Sequence, residues 1–219
     1  IILTSLIIIL VYDIKKSIRY IDFKLPVKKE NIIKIFKAGF FTFAISFLGM
    51  YVLNAPKYAI DNYLENNYQT IFGIIVMPAT VIGLVAQFLI HPYLNRILEL
   101  YEEKNLNDLN KLSFKLIIYI IGYGIISSIL AYFLGTQVLG FIYGLDLSMY
   151  RIGLLIIIIA STLYTIGVIY SSILTTVRET FSQFIIYIIM SIFAFVVSNI
   201  CTRVGNIDGA VLSYLLIMA

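Results

Sequence analysis

Long apolar runs alternate with short charged clusters along this chain. Five stretches, 38–56, 66–90, 116–145, 152–177 and 180–202, contain no Asp, Glu, Lys, Arg or His. They hold 19, 25, 30, 26 and 23 residues. About 20 apolar residues in a helix cross the hydrocarbon of a bilayer. The pattern therefore predicts five membrane spans. The two ends, 1–12 and 209–219, are apolar but too short to cross alone. Residues 1–12 lack the basic start and small-residue cleavage site of a signal peptide. Both ends read as helices cut in the middle, so the chain is expected to be a fragment of a larger membrane protein. The expected order is the end of a helix at 1–12, a basic connector at 13–35, and a helical lobe over 36–219. That lobe's spans are predicted at about 36–56, 69–91, 115–134, 152–177, 182–201 and 207–219.

Composition supports the membrane reading. Apolar residues make up 61% and charged residues 13%, against about 25% charged in soluble domains. Mean hydropathy is +0.97. The net charge of +4 follows the loops, which argues for membrane topology rather than nucleic-acid binding. The loops after the first, third and fifth spans carry thirteen Lys and Arg; the others carry Lys57, Arg151 and Arg203. Cytoplasmic loops concentrate Lys and Arg, so the thirteen face the cytoplasm and Lys57 the outside. Tyrosines cluster near the predicted span ends, where amphipathic rings sit at headgroup level.

Within the connector, Pro26 precedes a predicted amphipathic helix whose Ile32, Ile33 and Phe36 share a face. Stretch 95–111 alternates charge with leucine and predicts a solvated helical hairpin. Small residues let helices approach in lipid. Ala38/Thr42/Ser46, Ala79/Gly83/Gln87 and Ser127/Ala131/Gly135 each form a stripe at every fourth residue. Pro78 predicts a kink in the third span. Gln87, one stripe further, either bonds a neighbouring helix or lines a cavity.

Enzymatic chemistry has little to work with. One cysteine, Cys201, excludes an internal disulfide, and His91 stands alone at a span end. The carboxylates assigned outside, Asp61, Glu65, Asp146 and Asp208, show no nucleophile–base or metal-ligand spacing. Hydroxyls at Ser161, Thr162, Thr165, Ser171, Ser172, Ser191 and Ser198 are expected to bond the previous turn. Neither an enzyme nor a cofactor is expected.

The stretch "NAPKYAID" (54–61) places Pro56, Lys57 and Asp61 at the expected end of a span. Two placements of Lys57 stand open. It can reach the outer interface and pair with Asp61 four residues on, worth about 0.2–0.5 kcal/mol. Alternatively it points inward, where a lysine costs about 2.5–3.5 kcal/mol at mid-bilayer and marks function.

"NAPKYAID", "IFGIIVMPATVI" and the span end with Phe88, Pro92, Leu94 and Ile97 resemble the bacterial polysaccharide flippase family. That family lies within the multidrug/oligosaccharidyl-lipid/polysaccharide exporter superfamily. "LGFIYGLDLSMYR" and "IDGAVLSY" add weaker likeness further on. The resemblance implies an all-α, polytopic bundle with a MATE-like fold, of which this chain covers about helices six to twelve. It would be most of the second six-helix lobe, partnered by an absent N-terminal lobe. The implied activity is moving a polyprenyl-pyrophosphate-linked glycan across the bacterial cytoplasmic membrane by alternating access. Lys57 is implied as the cation at the pyrophosphate, with Asn54, Tyr58, Asp61 and Gln87 completing a polar wall. A drug exporter of the same superfamily is the alternative; it requires a carboxylate at membrane depth, which the five runs lack. A membrane-embedded glycan polymerase or acyltransferase would need a large outer catalytic loop, and these loops are short.

Overall fold

A computed structural model describes residues 29–219, and they are helical nearly throughout. The expected helix end at 1–12 and most of the expected 13–35 connector lie outside the described residues. The chain divides at Gly39, and residues 40–219 form one compact unit. In order, the helices are α1 Lys29–Tyr63, α2 Asn66–Ile90, α3 Leu94–Glu102, α4 Leu106–Leu130, α5 Thr136–Tyr143, α6 Arg151–Thr176 and α7 Thr180–Met218. Short 3-10 turns join α2 to α3 and lead into α6, and a π-turn at Ala131–Gly135 joins α4 to α5. Five helical stretches are long and apolar enough to cross a membrane: Gly39–Tyr63, Asn66–Glu102, Leu106–Tyr143, Ser148–Thr176 and Thr180–Met218.

Reversals rather than loops connect these stretches. Lys104, Gly144, Arg178 and Asn206 each take positive φ at a turn, the conformation that ends a helix and turns its chain aside. Asn105 caps α4, its side chain accepting from the Asp108 amide at 3.2 Å. At 144–147 the Asp146 carboxylate accepts from the Ser148 amide at 3.0 Å, which holds its pKa below the usual range. The turns at 64–65, 144–147 and 206 gather at one end, where Tyr150 lies beside Tyr68 and Asp208. Those at 103–105 and 177–179 gather at the other, where Tyr101 and Glu102 share a hollow with Val177 and Arg178. This alternation matches the loop assignment read from the charges. The expected hairpin over 95–111 forms, with Ile97, Leu100 and Leu109 buried in a small core of their own.

Helix α6 is the hub, packing against α2, α4 and α7. Its Leu154, Ile157, Ile158 and Ala160 are buried and join Phe72, Ile75 and Ile82 of α2 in the main core. Gly124 lets α4 approach α6 closely, because a Cβ there would overlap Thr162. Gly135 meets Leu154 in the same way, so the Ser127/Ala131/Gly135 stripe is a helix contact. The Ala79/Gly83/Gln87 stripe is one only at Ala79, which is buried; Gly83 meets open space and Gln87 is exposed. Gly124→Ala is expected to lower thermal stability by about 1–3 kcal/mol through overpacking. Gly122→Ala, with open space at its Cβ, is expected to be neutral or slightly stabilising; melting both variants in detergent checks the contrast.

Two expected boundaries are corrected. The span placed at 36–56 does not end at Pro56, because α1 continues through it to Tyr63. A proline inside a helix costs about 3 kcal/mol. Here Ala55, Pro56, Ala59 and Ile60 are all buried, and their packing holds the last two turns in place.

The second correction concerns 182–201 and 207–219. Two helical arms are present, but no loop separates them. The chain reverses at Asn206 alone, with φ 51° and ψ −134°. A Cβ on Gly209 would overlap the Cys201 carbonyl oxygen. Eight residues of straight helix would separate these positions by about 12 Å, so the second arm folds back along the first. Ile217 and Met218 consequently line one hollow with Gln183, Ile186 and Met190.

Candidate functional site

The predicted residues divide by helical phase. Thr42, Ser46, Gly49, Leu53 and Lys57 of α1 recur at intervals of three or four, which is one face of a helix. Thr42, Ser46, Gly49 and Leu53 line a cleft against α6 and α7, and Lys57 continues that face one turn beyond Leu53. It is half-buried. Asn54 and Tyr58 belong to the adjoining face, which also carries the exposed Phe43 and Phe47, and Asp61 follows Lys57 by one turn. The Asn54 amide donates to the Met50 carbonyl at 2.8 Å. Tyr58 stacks on Tyr51 with centroids 5.9 Å apart, and Asp61 is exposed.

The expected pair between Lys57 and Asp61 does not form. Among the described residues the ion pairs are Arg96–Glu99 at 2.9 Å and Lys111–Asp108 at 3.0 Å, both near the opposite end of the bundle.

Gln87 is not brought to the others. Lys57 precedes the end of α1 at Tyr63 by six residues, and Gln87 follows the start of α2 at Asn66 by 21. At 1.5 Å per residue those are about 9 and 31 Å from the connecting turn. Lys57 and Gln87 are therefore at least about 20 Å apart along the helices. Gln87 is exposed one turn before the 3-10 segment His91–Tyr93.

A different amide occupies the interior. Gln183 is 2% exposed and sits one turn into α7. Its Nε2 donates to the Ser171 hydroxyl and, at 3.3 Å, to the Ser171 carbonyl, while Thr175 Oγ1 donates to its Oε1 at 3.0 Å. The Tyr187 hydroxyl lies 3.4 Å from that of Ser171. Two adjoining hollows, of about 300 and 460 Å³, share Tyr164, Ser171, Gln183 and Tyr187 in their walls. Gly49 lies against the Tyr187 ring, 3.1 Å from where its Cβ would be. Phe41 of α1 packs on Phe181 and Phe184 at 5.5 and 5.4 Å, joining α1 to the start of α7.

The hydroxyl expectation holds at Ser161, Thr162, Thr165, Ser172 and Ser191, each bonded to the carbonyl four residues back. Ser171 departs from it by accepting from Gln183. Ser198 departs more sharply: its hydroxyl, like that of Thr202, is buried with no partner among the described residues. Together with Gln183, Ser191 and Ala194 they form a polar and small-residue stripe along the first arm of α7. That stripe in an Ile- and Phe-rich helix is the signal by which Gln183 could have been singled out.

Chemically the cleft can accept and donate hydrogen bonds, its described lining residues carry no charge, and a lysine continues one of its faces. Among the described residues no cluster of three His, Cys, Asp or Glu forms. No protein-family model, curated protein or solved structure matches the chain.

Proposed function

We propose that this chain is part of a flippase carrying a polyprenyl-pyrophosphate-linked glycan across the bacterial cytoplasmic membrane. The observation that carries the reading is the continuous α1 face running from the polar cleft to Lys57. Such a ligand has two polar parts, a sugar portion rich in hydroxyls and an anionic pyrophosphate. The cleft offers hydroxyls to the first, and Lys57 offers a cation with three donors to the second. The missing ion pair with Asp61 leaves the ammonium available to a phosphate. Movement would come from this lobe rocking against its partner lobe, so that the cleft opens to one side and then the other.

A drug exporter needs a carboxylate to accompany a cation at depth, and no described residue lining either hollow is Asp or Glu. The two functions separate in proteoliposomes of the full-length protein. A fluorescent lipid-pyrophosphate-linked oligosaccharide is expected to move between leaflets faster than in protein-free vesicles, while an organic cation is not. Cation movement alone would replace the flippase with the exporter.

A further inference from the structure

The walls of the two hollows say what kind of sugar they suit. The described lining residues include no Asp, Glu, Lys, Arg or His. Their polar groups are the hydroxyls of Ser46, Tyr164, Ser171, Thr175 and Tyr187 and the Gln183 amide, with others of the same neutral kind. A hydroxylated ligand exchanges its water hydrogen bonds for those of the wall. A carboxylate would give up its hydration with no counter-charge among the described lining residues, and an unpaired charge is far more costly to bury than a paired polar group.

The wall is also built rather than accidental. Gln183 spends its amide on Ser171 and Thr175, which ties α6 to α7 and fixes the adjoining Tyr187. Tyr164 is different. It lines both hollows, is partly buried, and its hydroxyl makes no hydrogen bond to any described residue. Its donor and acceptor are therefore open to a ligand group. The rings of Tyr164 and Tyr187 present apolar surface beside polar edges, which matches the C–H faces and hydroxyl rim of a sugar ring.

We propose that the cleft between α1, α6 and α7 is a subsite for an uncharged sugar and discriminates against acidic sugars. That the ligand is a sugar rests on the flippase reading; that it is uncharged rests on the wall itself. Maltotriose and tri-galacturonate serve as probes, tested by saturation-transfer NMR on the full-length protein in nanodiscs. The expected result is transfer to maltotriose and at least tenfold weaker apparent binding of the acidic trisaccharide. Tyr164→Phe, which removes one unpartnered hydroxyl without disturbing the Gln183 ties, is expected to weaken maltotriose binding severalfold. Gln183→Leu is expected to abolish it where the variant remains folded. Equal transfer to both sugars, no transfer to maltotriose, or binding unchanged in Tyr164→Phe would overturn the subsite. The vesicle assay keeps the two readings apart. Glycan-lipid transport without neutral-sugar preference removes the subsite and leaves the flippase. Maltotriose binding without transport does the reverse.

Discussion

Gly209→Ala is expected to unseat the final arm of the bundle. The added methyl would overlap the Cys201 carbonyl oxygen and lie 2.7 Å from its carbon. Both are backbone atoms, so no side chain can swing aside to relieve them. Overpacking in a relaxed core costs about 1–3 kcal/mol, and this contact belongs at or above the top of that range. The gain in helix propensity from Gly to Ala, at most about 1 kcal/mol, does not offset it. Without the close approach, residues 207–218 cannot lie back along 180–205. Ala210, Val211, Tyr214 and Ile217, all buried now, would leave the main core, as would the edge contact of Tyr214 with Phe72 at 6.3 Å. Gly205→Ala is the control, since its Cβ meets open space. Melting in detergent should show Gly209→Ala well below the parent and Gly205→Ala close to it; equal melting points would mean the reversal is not as tight as described.

Loss of the Lys57 charge is expected to have the largest effect on transport. A hydrogen bond to an ionised group contributes about 1.5–3 kcal/mol, which is about ten- to 150-fold in binding. Lys57→Ala should therefore reduce glycan-lipid translocation at least tenfold, and Lys57→Glu should abolish it by repelling the phosphate. Insertion and expression should hold in both, because the side chain has no ionic partner among the described residues to leave stranded. Lys57→Arg keeps the charge and should retain much of the activity, whereas Asp61→Ala, at an exposed position one turn on, should change little. Normal transport by both charge-removing variants would take Lys57 out of the mechanism.

Much of this architecture is legible in the apolar runs, since each of the five contains the crossing part of one helical stretch. Stretch ends are less legible because they depend on what packs there. Pro56 reads as a terminator, yet Ile60 and Ala59 bury themselves beyond it. Asn206 reads as part of a loop, yet glycines around it allow a one-residue reversal. The site shows the same division. Lys57 stands out by charge in an apolar setting, and Gln87 by its depth in a run. Gln183 is a similar amide in a similar run, but its role is set by the turn at 177–179. That short reversal places it against Ser171 and Thr175 of the preceding helix. Periodicity tells which residues share a face; it does not tell which turn of a neighbour they will meet.

The most direct measurement is made in a cysteine-free background of the full-length protein, with Cys201 and any further cysteine replaced by serine. Lys57→Cys and Asp61→Cys are introduced into it separately. Each is reacted with a membrane-impermeant thiol reagent from outside, with and without the lipid-pyrophosphate-linked glycan. If the α1 face running from the cleft to Lys57 carries the ligand, both positions react, and the glycan lipid slows modification at 57 but not at 61. Equal modification rates with and without the glycan lipid at position 57 would contradict that path.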